Sequence, residues 1–300
     1  MLDQSPNWTG HERTAMHSPA NFEIDKVRVR QRFSRQSGGY DAVTPRQSAM
    51  AMVLLEDSAS RLRGHQVRNI LELGCGTGNL TGELRCHFPG ARLIAVDFAD
   101  DMLKVAHLKP ECEGVEFRCV DAEAPTLDVE KGSAFDLIIA NAAVQWFATP
   151  LDTMRSYAEL LSPGGLMSFS TFGPRTFHEL GTAFRAAELQ CGRDPALHVL
   201  PFASTADWRR ALDGCARTVD VASDLHVEWF DGVAQFVGAL RAAGATMANR
   251  RDRAPLGRSV YVAMLREYAQ RFADPATTRV PATFEHLYVF AGDQVGPGLR

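Results

Sequence analysis

The stretch LELGCGTGN, residues 71–79, decides the fold. It leaves a short apolar run, VRNILEL (67–73), and opens a helical segment near 78–88. Gly74, Gly76 and Gly78 admit dihedrals closed to other residues and let backbone approach a ligand closely. The helix that follows presents unpaired N–H groups at its start. Glu72 stands two residues before the first glycine. An acid there suits an ammonium group rather than a pyrophosphate. A dinucleotide fingerprint spaces its glycines GxGxxG. Here the third glycine comes one position early, which points away from a nicotinamide dinucleotide.

Working outward, apolar runs alternate with helical stretches. The runs are 67–73, ARLIAVD (91–97), VEFRCV (115–120), FDLIIAN (135–141) and GLMSFSTF (165–172). Helices are predicted near 78–88, 99–108 and 151–162, with Ser162-Pro163-Gly164-Gly165 as the turn into the fifth strand. Near-continuous apolar strands separated by helices mean a parallel sheet covered on both faces. Upstream, DKVRVRQRFSR (25–35) reads as a basic helix stopped by Ser37-Gly38-Gly39, and 44–62 as a second helix. Downstream, helices are expected over 174–190, 231–244 and 255–273 and strands over 218–230 and 283–292, with 191–217 mixed. Residues 1–22 read as a disordered extension.

Four strand ends carry polar residues on one edge, where open α/β sheets bind ligands. Asp97 ends the second strand, placed to take both hydroxyls of a ribose. Asp121 ends the third, where a carboxylate can accept from an adenine amino group. Asn141 ends the fourth. Each has a plainer reading alone: Glu72 as a loop acid, Asp97 as a helix cap, Asp121 and Asn141 as turn residues. Together with the glycines they favour a nucleoside-bearing ligand.

The chain has 300 residues, 32 Lys and Arg against 36 Asp and Glu, and 45% hydrophobic residues, values of a folded enzyme and not of a disordered or general nucleic-acid-binding chain. No apolar run is long enough for a membrane span, and the polar start lacks a secretory pattern. The six cysteines match no zinc spacing and no disulfide framework, so a cytoplasmic location is expected. No HExxH or similar histidine pair is present, and no metal is expected.

The set ELGCGTGN, AVDFADDML, DAEAPTL, FDLIIANAAVQWF and LLSPGGLMSFSTF resembles the motifs of class I S-adenosylmethionine-dependent methyltransferases. The resemblance implies a Rossmann-like α/β fold: a seven-stranded, mostly parallel sheet whose antiparallel last strand lies between strands five and six. Helical insertions would form a lid. One domain is expected over 23–300, with the core sheet in 67–172 and the lid and last strands in 173–300. The implied cofactor is S-adenosylmethionine, leaving as S-adenosylhomocysteine. The implied contacts are Glu72, Gly74, Gly76, Gly78, Asp97, Phe98, Met102, Asp121, Ala122 and Asn141.

RQRFSRQSGGYD (30–41), NAAVQWF (141–147), FSTFGPRTFHEL (169–180), ALRAAGAT (239–246) and TFEHLYVF (283–290) are similar, more narrowly, to the malonyl-acyl-carrier-protein O-methyltransferases of biotin synthesis. That resemblance implies methylation of the free carboxylate of a malonyl thioester, with acyl carrier protein as partner. A carboxylate titrates near pH ~4, so it is ionised at neutral pH and needs no general base. No residue is therefore expected to act as acid or base. The protein's tasks are alignment and partial desolvation.

Candidates for orienting the substrate are Tyr40, Gln145, Trp146 and an arginine, with Arg35, Arg175 and Arg241 considered for a guanidinium fork. The basic runs 26–35 and 250–253 suit an acidic carrier protein, or are ordinary solvated faces. A monomer is the working expectation. AVQW also resembles trans-aconitate methyltransferase, so a small-molecule carboxylate methyltransferase is the alternative. A non-catalytic assembly factor retaining the fold is a second alternative, against which the intact acids and glycines speak.

Overall fold

The computed structural model describes residues 23–124, 134–242 and 256–293. The extension 1–22, the expected helix end at Gly244 and the basic run 250–253 lie outside them. Helices are α1 (Lys26–Gln36), α2 (Tyr40–Val43), α3 (Pro45–Arg61), α4 (Asn79–His87), α5 (Asp100–His107), α6 (Pro150–Ala158), α7 (His178–Gln190), α8 (Thr205–Leu212), α9 (Val233–Ala242) and α10 (Arg258–Phe272). Strands are β1 (Asn69–Leu73), β2 (Arg92–Asp97), β3 (Glu116–Cys119), β4 (Phe135–Asn141), β5 (Leu161–Phe172), β6 (Thr218–Phe230) and β7 (Val280–Gly292).

The strands form one sheet in the order β3-β2-β1-β4-β5-β7-β6. The first five are parallel, and β7 runs antiparallel to both β5 and β6. This is the expected doubly covered sheet. Residues alternate between its faces, so Leu71, Ile94 and Ile138 pack with Phe169 and Trp208 on one side. Ile70, Leu93, Leu137 and Ile139 pack with Met50, Leu54 and Leu84 on the other. β4 is buried from Phe135 to Ala140, which is why it reads as an unbroken apolar run.

Two elements differ from the expectation. The Ser162–Gly165 segment belongs to β5 instead of preceding it. The β4–β5 register shifts from Phe135↔Leu161 to Leu137↔Leu166, so the extra residues bulge within the ladder. The mixed stretch holds α8, started by a capping box in which Ser204 and Asp207 bond each other's backbone N–H. Its Trp208 is buried with its ring 4.7 Å from that of Phe169.

β6 and β7 are each 13 residues long and pair from Thr218↔Gly292 to Phe230↔Val280. β5 ends at Phe172↔His286. The β6–β7 pair therefore runs on past the carboxyl edge of the parallel strands. A third core, with Phe177, Phe184, Phe236 and Tyr268, seats α7, α9 and α10 against this extension.

Candidate functional site

The glycine loop bends back onto β2, with the Gly74 and Cys75 amides donating to the Val96 carbonyl at 2.8 and 3.0 Å. Gly76 has φ +56°, and nothing lies within 4 Å of where a Cβ would sit. Its bare backbone faces a narrow slot at the carboxyl edge, with about 110 Å³ of open space. Of the expected contacts, Glu72, Gly74, Gly76, Asp97, Phe98, Met102, Asp121, Ala122 and Asn141 line this slot. Gly78 does not. A Cβ there would sit 2.9 Å from the Ala106 Cβ and 3.1 Å from the Cys112 Sγ. Its smallness lets the glycine loop pack against Ala106 and Cys112, which places it in packing and outside the slot lining.

The acids differ in electrostatics. Glu72 is buried, and its Oε2 accepts from the Thr81 hydroxyl at 2.6 Å. Burial pushes its carboxyl up to about 8, against the Thr81 bond and helped by nearby Asp97. Burial also raises Asp97, to about 6, although backbone N–H groups of Ala99, Gly76 and Phe98 oppose the shift. The two Asp97 oxygens accept from the Gly76 and Ala99 amides at 2.9 and 2.8 Å. The carboxylate keeps acceptor capacity beyond these amides. Asp121 is already partly engaged: its Oδ2 lies 2.6 Å from the Lys26 ammonium. Lys26 also binds Glu123 at 2.5 Å, and Glu123 takes the Ala148 and Thr149 amides at 2.6 and 2.8 Å.

The roof of the slot comes from the N-terminal segment, through Lys26, Phe33, Tyr40 and Thr44. Phe33 meets Tyr40, Phe98 and Trp146 edge-on, at 5.9, 6.3 and 5.6 Å. Burial beside Asp97 and Asp41 raises the Tyr40 hydroxyl, keeping it protonated. Asp41, not singled out in the sequence, ties the roof to the glycine loop. It accepts from Thr77, from Asn79 at 3.0 Å and from Lys109 at 2.8 Å. Burial works against its ionisation, but these donors hold its carboxyl below the ordinary value.

A second cavity of about 890 Å³ adjoins the slot. The two share a wall of Phe33, Tyr40, Gln47, Ala142 and Trp146. Ala142 holds φ +47° at the exit of β4, and its amide donates to the Ser170 carbonyl and hydroxyl, both at 3.1 Å. Gln145 lines the second cavity, but its amide is engaged in its own loop. Its Nε2 donates to the Ala142 carbonyl at 2.6 Å, and its Oε1 accepts from Thr171 at 3.3 Å.

Neither Arg175 nor Arg241 lines this chamber. Arg175 is 61% exposed, 3.5 Å from Glu285. Arg241 is exposed beside a separate cavity of about 260 Å³, and its carbonyl accepts from Gln36 at 2.9 Å. Arg35 is exposed on α1. Among the described residues the only Lys or Arg in the chamber wall is Arg46, which no sequence motif marked. Its position two residues into α3, next to Gln47 of the shared wall, was the available clue. His226 and His286, scattered in sequence, meet here with tilted rings at 4.4 Å between centroids. Burial, His226 and Arg46 drive His286 down to about 3, so it is neutral at pH 7.

The slot's donor set fits S-adenosylmethionine. It offers a buried acid suited to an ammonium, a strand-end carboxylate suited to ribose hydroxyls, and bare glycine backbone that admits close approach. Among the described residues no group of three or more His, Cys, Asp or Glu side chains is arranged for a metal. No described helix is long and apolar enough to cross a membrane.

Residues 71–167 match the family model described as a methyltransferase domain. The malonyl-[acyl-carrier protein] O-methyltransferase of Halalkalibacterium halodurans is 35% identical over 269 residues, covering 89% of this chain and 98% of that protein. The Brevibacillus brevis protein of the same name is 34% identical over 271 residues, covering 89% and 96%. That of Acetivibrio thermocellus is 30% identical over 291 residues, covering 92% and 97%. Among solved structures, the YcgJ protein of Bacillus subtilis superposes with a TM-score of 0.55 at 14% identity, covering 82% of this chain and 99% of that one. The BH2331 protein of Bacillus halodurans C-125 gives 0.50 at 16% identity, covering 81% and 98%, so both speak to the fold alone.

Proposed function

This chain belongs to the malonyl-[acyl-carrier protein] O-methyltransferase family, and from that premise we propose how its two cavities divide the reaction. The enzyme methylates the free carboxylate of a malonyl thioester carried by acyl carrier protein. S-adenosylmethionine supplies the methyl group from a sulfonium centre and leaves as S-adenosylhomocysteine. A carboxylate oxygen forms the new O–C bond, the S–C bond breaks, and its electron pair stays on sulfur. No proton moves.

The observation that carries this reading is the shared wall. An acid-lined slot and a mostly apolar chamber meet at Phe33, Tyr40, Gln47, Ala142 and Trp146. In the slot, Glu72 takes the ammonium, Asp97 the ribose hydroxyls, and Asp121 with Ala122 the adenine edge. Phe98 and Met102 flank the base, and Gly74, Gly76 and Asn141 border the amino-acid end. Tyr40 and Trp146 confine the acceptor to a line through the wall, as a displacement requires. The chamber's largely aromatic lining strips water from the carboxylate, with few charged side chains in its wall. That suits a reaction in which a cation and an anion neutralise each other.

The chamber of about 890 Å³ is far larger than a three-carbon acid needs and suits a carrier's prosthetic arm. α1, roofing the slot, exposes Arg28, Arg30 and Arg35 where an acidic carrier would approach. The same reading places the enzyme in the cytoplasm, acting as a monomer.

Mass spectrometry of malonyl-acyl carrier protein after incubation with enzyme and S-adenosylmethionine tests the reading. The expected product carries one added methyl group, removable by an esterase. Methylation of trans-aconitate alone would reassign the substrate, and cofactor binding with no turnover would reassign the class.

A further inference from the structure

We propose that Arg46 sets the enzyme's specificity for a carboxylate acceptor: its guanidinium takes the malonyl carboxylate in exchange for Glu228, the acid that occupies it in the ligand-free chain. This deepens the proposed function and rests on it.

Arg46 is the one fixed cation in the chamber wall among the described residues. Its guanidinium carbon lies 3.8 Å from the centroid of the Phe284 ring, which fixes the plane of the group. A guanidinium stacked in this way still directs its N–H donors outward in its own plane. One of them, on Nη2, meets Glu228 Oε2 at 2.6 Å. The pair joins α3 to the part of β6 that overshoots the parallel strands, across 182 residues of chain.

The two partners differ in exposure. The Arg46 side chain is 21% exposed and that of Glu228 is 47% exposed. Glu228 can therefore return to water at small cost, whereas a vacated Arg46 stays half-desolvated and seeks another anion. The other charged or titratable groups of this wall do not fill that role. Asp224 lies 2.9 Å from the His226 ring nitrogen, and His286 is kept neutral by burial.

The Glu228 contact runs through one oxygen. A malonyl carboxylate held in the same manner keeps its second oxygen for the methyl group. Gln47, the next residue along α3, is part of the wall behind which the methyl donor lies. The methyl ester product carries no charge, so it cannot hold Arg46 against Glu228. The exchange thus favours entry of the anion and departure of the ester.

The experiment compares the full-length wild type with Arg46→Gln, Arg46→Lys and Glu228→Gln. It reads KM and kcat on malonyl-acyl carrier protein, with S-adenosylhomocysteine affinity as the measure of an intact slot. Arg46→Gln should raise KM about 10- to 100-fold, the range for losing a charge-assisted hydrogen bond. Arg46→Lys should fall between it and wild type. Glu228→Gln should lower KM several-fold, because the competing acid is gone. A purely structural ion pair would instead make the two truncations act in the same direction. A KM in Arg46→Gln within twofold of wild type, or a raised KM in Glu228→Gln, overturns the assignment. Should the wild type leave malonyl-acyl carrier protein unmethylated while still binding S-adenosylhomocysteine, the functional reading itself falls, and this inference with it.

Discussion

Glu72 shows how one buried carboxyl links ligand, pH and stability. Its pKa of about 8, raised mainly by burial, makes it largely neutral at pH 7 in the free chain. An incoming ammonium reverses the balance, since an opposite charge favours the ionised form. Binding of S-adenosylhomocysteine at pH 7 should therefore release a proton, seen calorimetrically as a heat that depends on the buffer. Glu72→Gln should abolish that release and weaken binding about tenfold or more. The sign for stability follows from the same shift. Between the ordinary value of 4.5 and about 8 the folded chain holds a proton that the unfolded chain has lost. This contribution makes the ligand-free protein less stable as pH rises through that window. Thermal denaturation of wild type against Glu72→Gln across pH 5–8 checks it: the difference between the two should grow in favour of the variant as pH rises. The acid and its glycines were legible because they lie within a few residues of each other. Arg46 was not, because the partners that give it meaning, Phe284 and Glu228, come from β7 and β6.

Among the elements, α1 carries the function least visible in its sequence. It reads as a basic helix, and the structure uses its first residue as a clasp. Lys26 reaches Asp121 and Glu123, across the end of the slot opposite the glycine loop. The slot holds about 110 Å³ of open space and this clasp closes over one end of it, so opening the clasp should ease passage of a nucleoside. Lys26→Met should then speed S-adenosylhomocysteine dissociation about tenfold, measured by stopped-flow fluorescence of the slot's Trp146. An unchanged off-rate would mean the roof opens elsewhere. The strands β1, β2 and β4 were readable because burial on both faces leaves a local apolar signature. α8 was missed because only its capping box, Ser204 with Asp207, separates it from the irregular chain around it. The β5 bulge was read as a turn because Pro163, Gly164 and Gly165 favour either, and only pairing with β4 decides.

For the whole molecule, the sheet order places every slot acid at one edge, while the overshoot of β6 and β7 raises a second wall beside it. The chamber between these walls is a property of the assembled topology, and no single segment encodes it. The exposed arginines of α1 lie on the helix whose Lys26 and Phe33 roof the slot. Arg30→Glu with Arg35→Glu should raise KM for malonyl-acyl carrier protein about tenfold at low salt and flatten its dependence on ionic strength. Malonyl-coenzyme A, lacking the acidic carrier surface, should be much less affected. Equal losses on both acceptors would remove α1 from carrier recognition.

In the proposed reaction, methyl donor and acceptor sit on opposite sides of the Phe33–Tyr40–Trp146 wall. A crystal structure of the enzyme with S-adenosylhomocysteine and a stable malonyl-pantetheine analogue tests it most directly. The expected complex has the ammonium at Glu72, the ribose at Asp97, and the malonyl carboxylate in the chamber on the Arg46 side of that wall. A carboxylate seated against Arg175 or Arg241, or a nucleoside in the chamber instead of the slot, would contradict it.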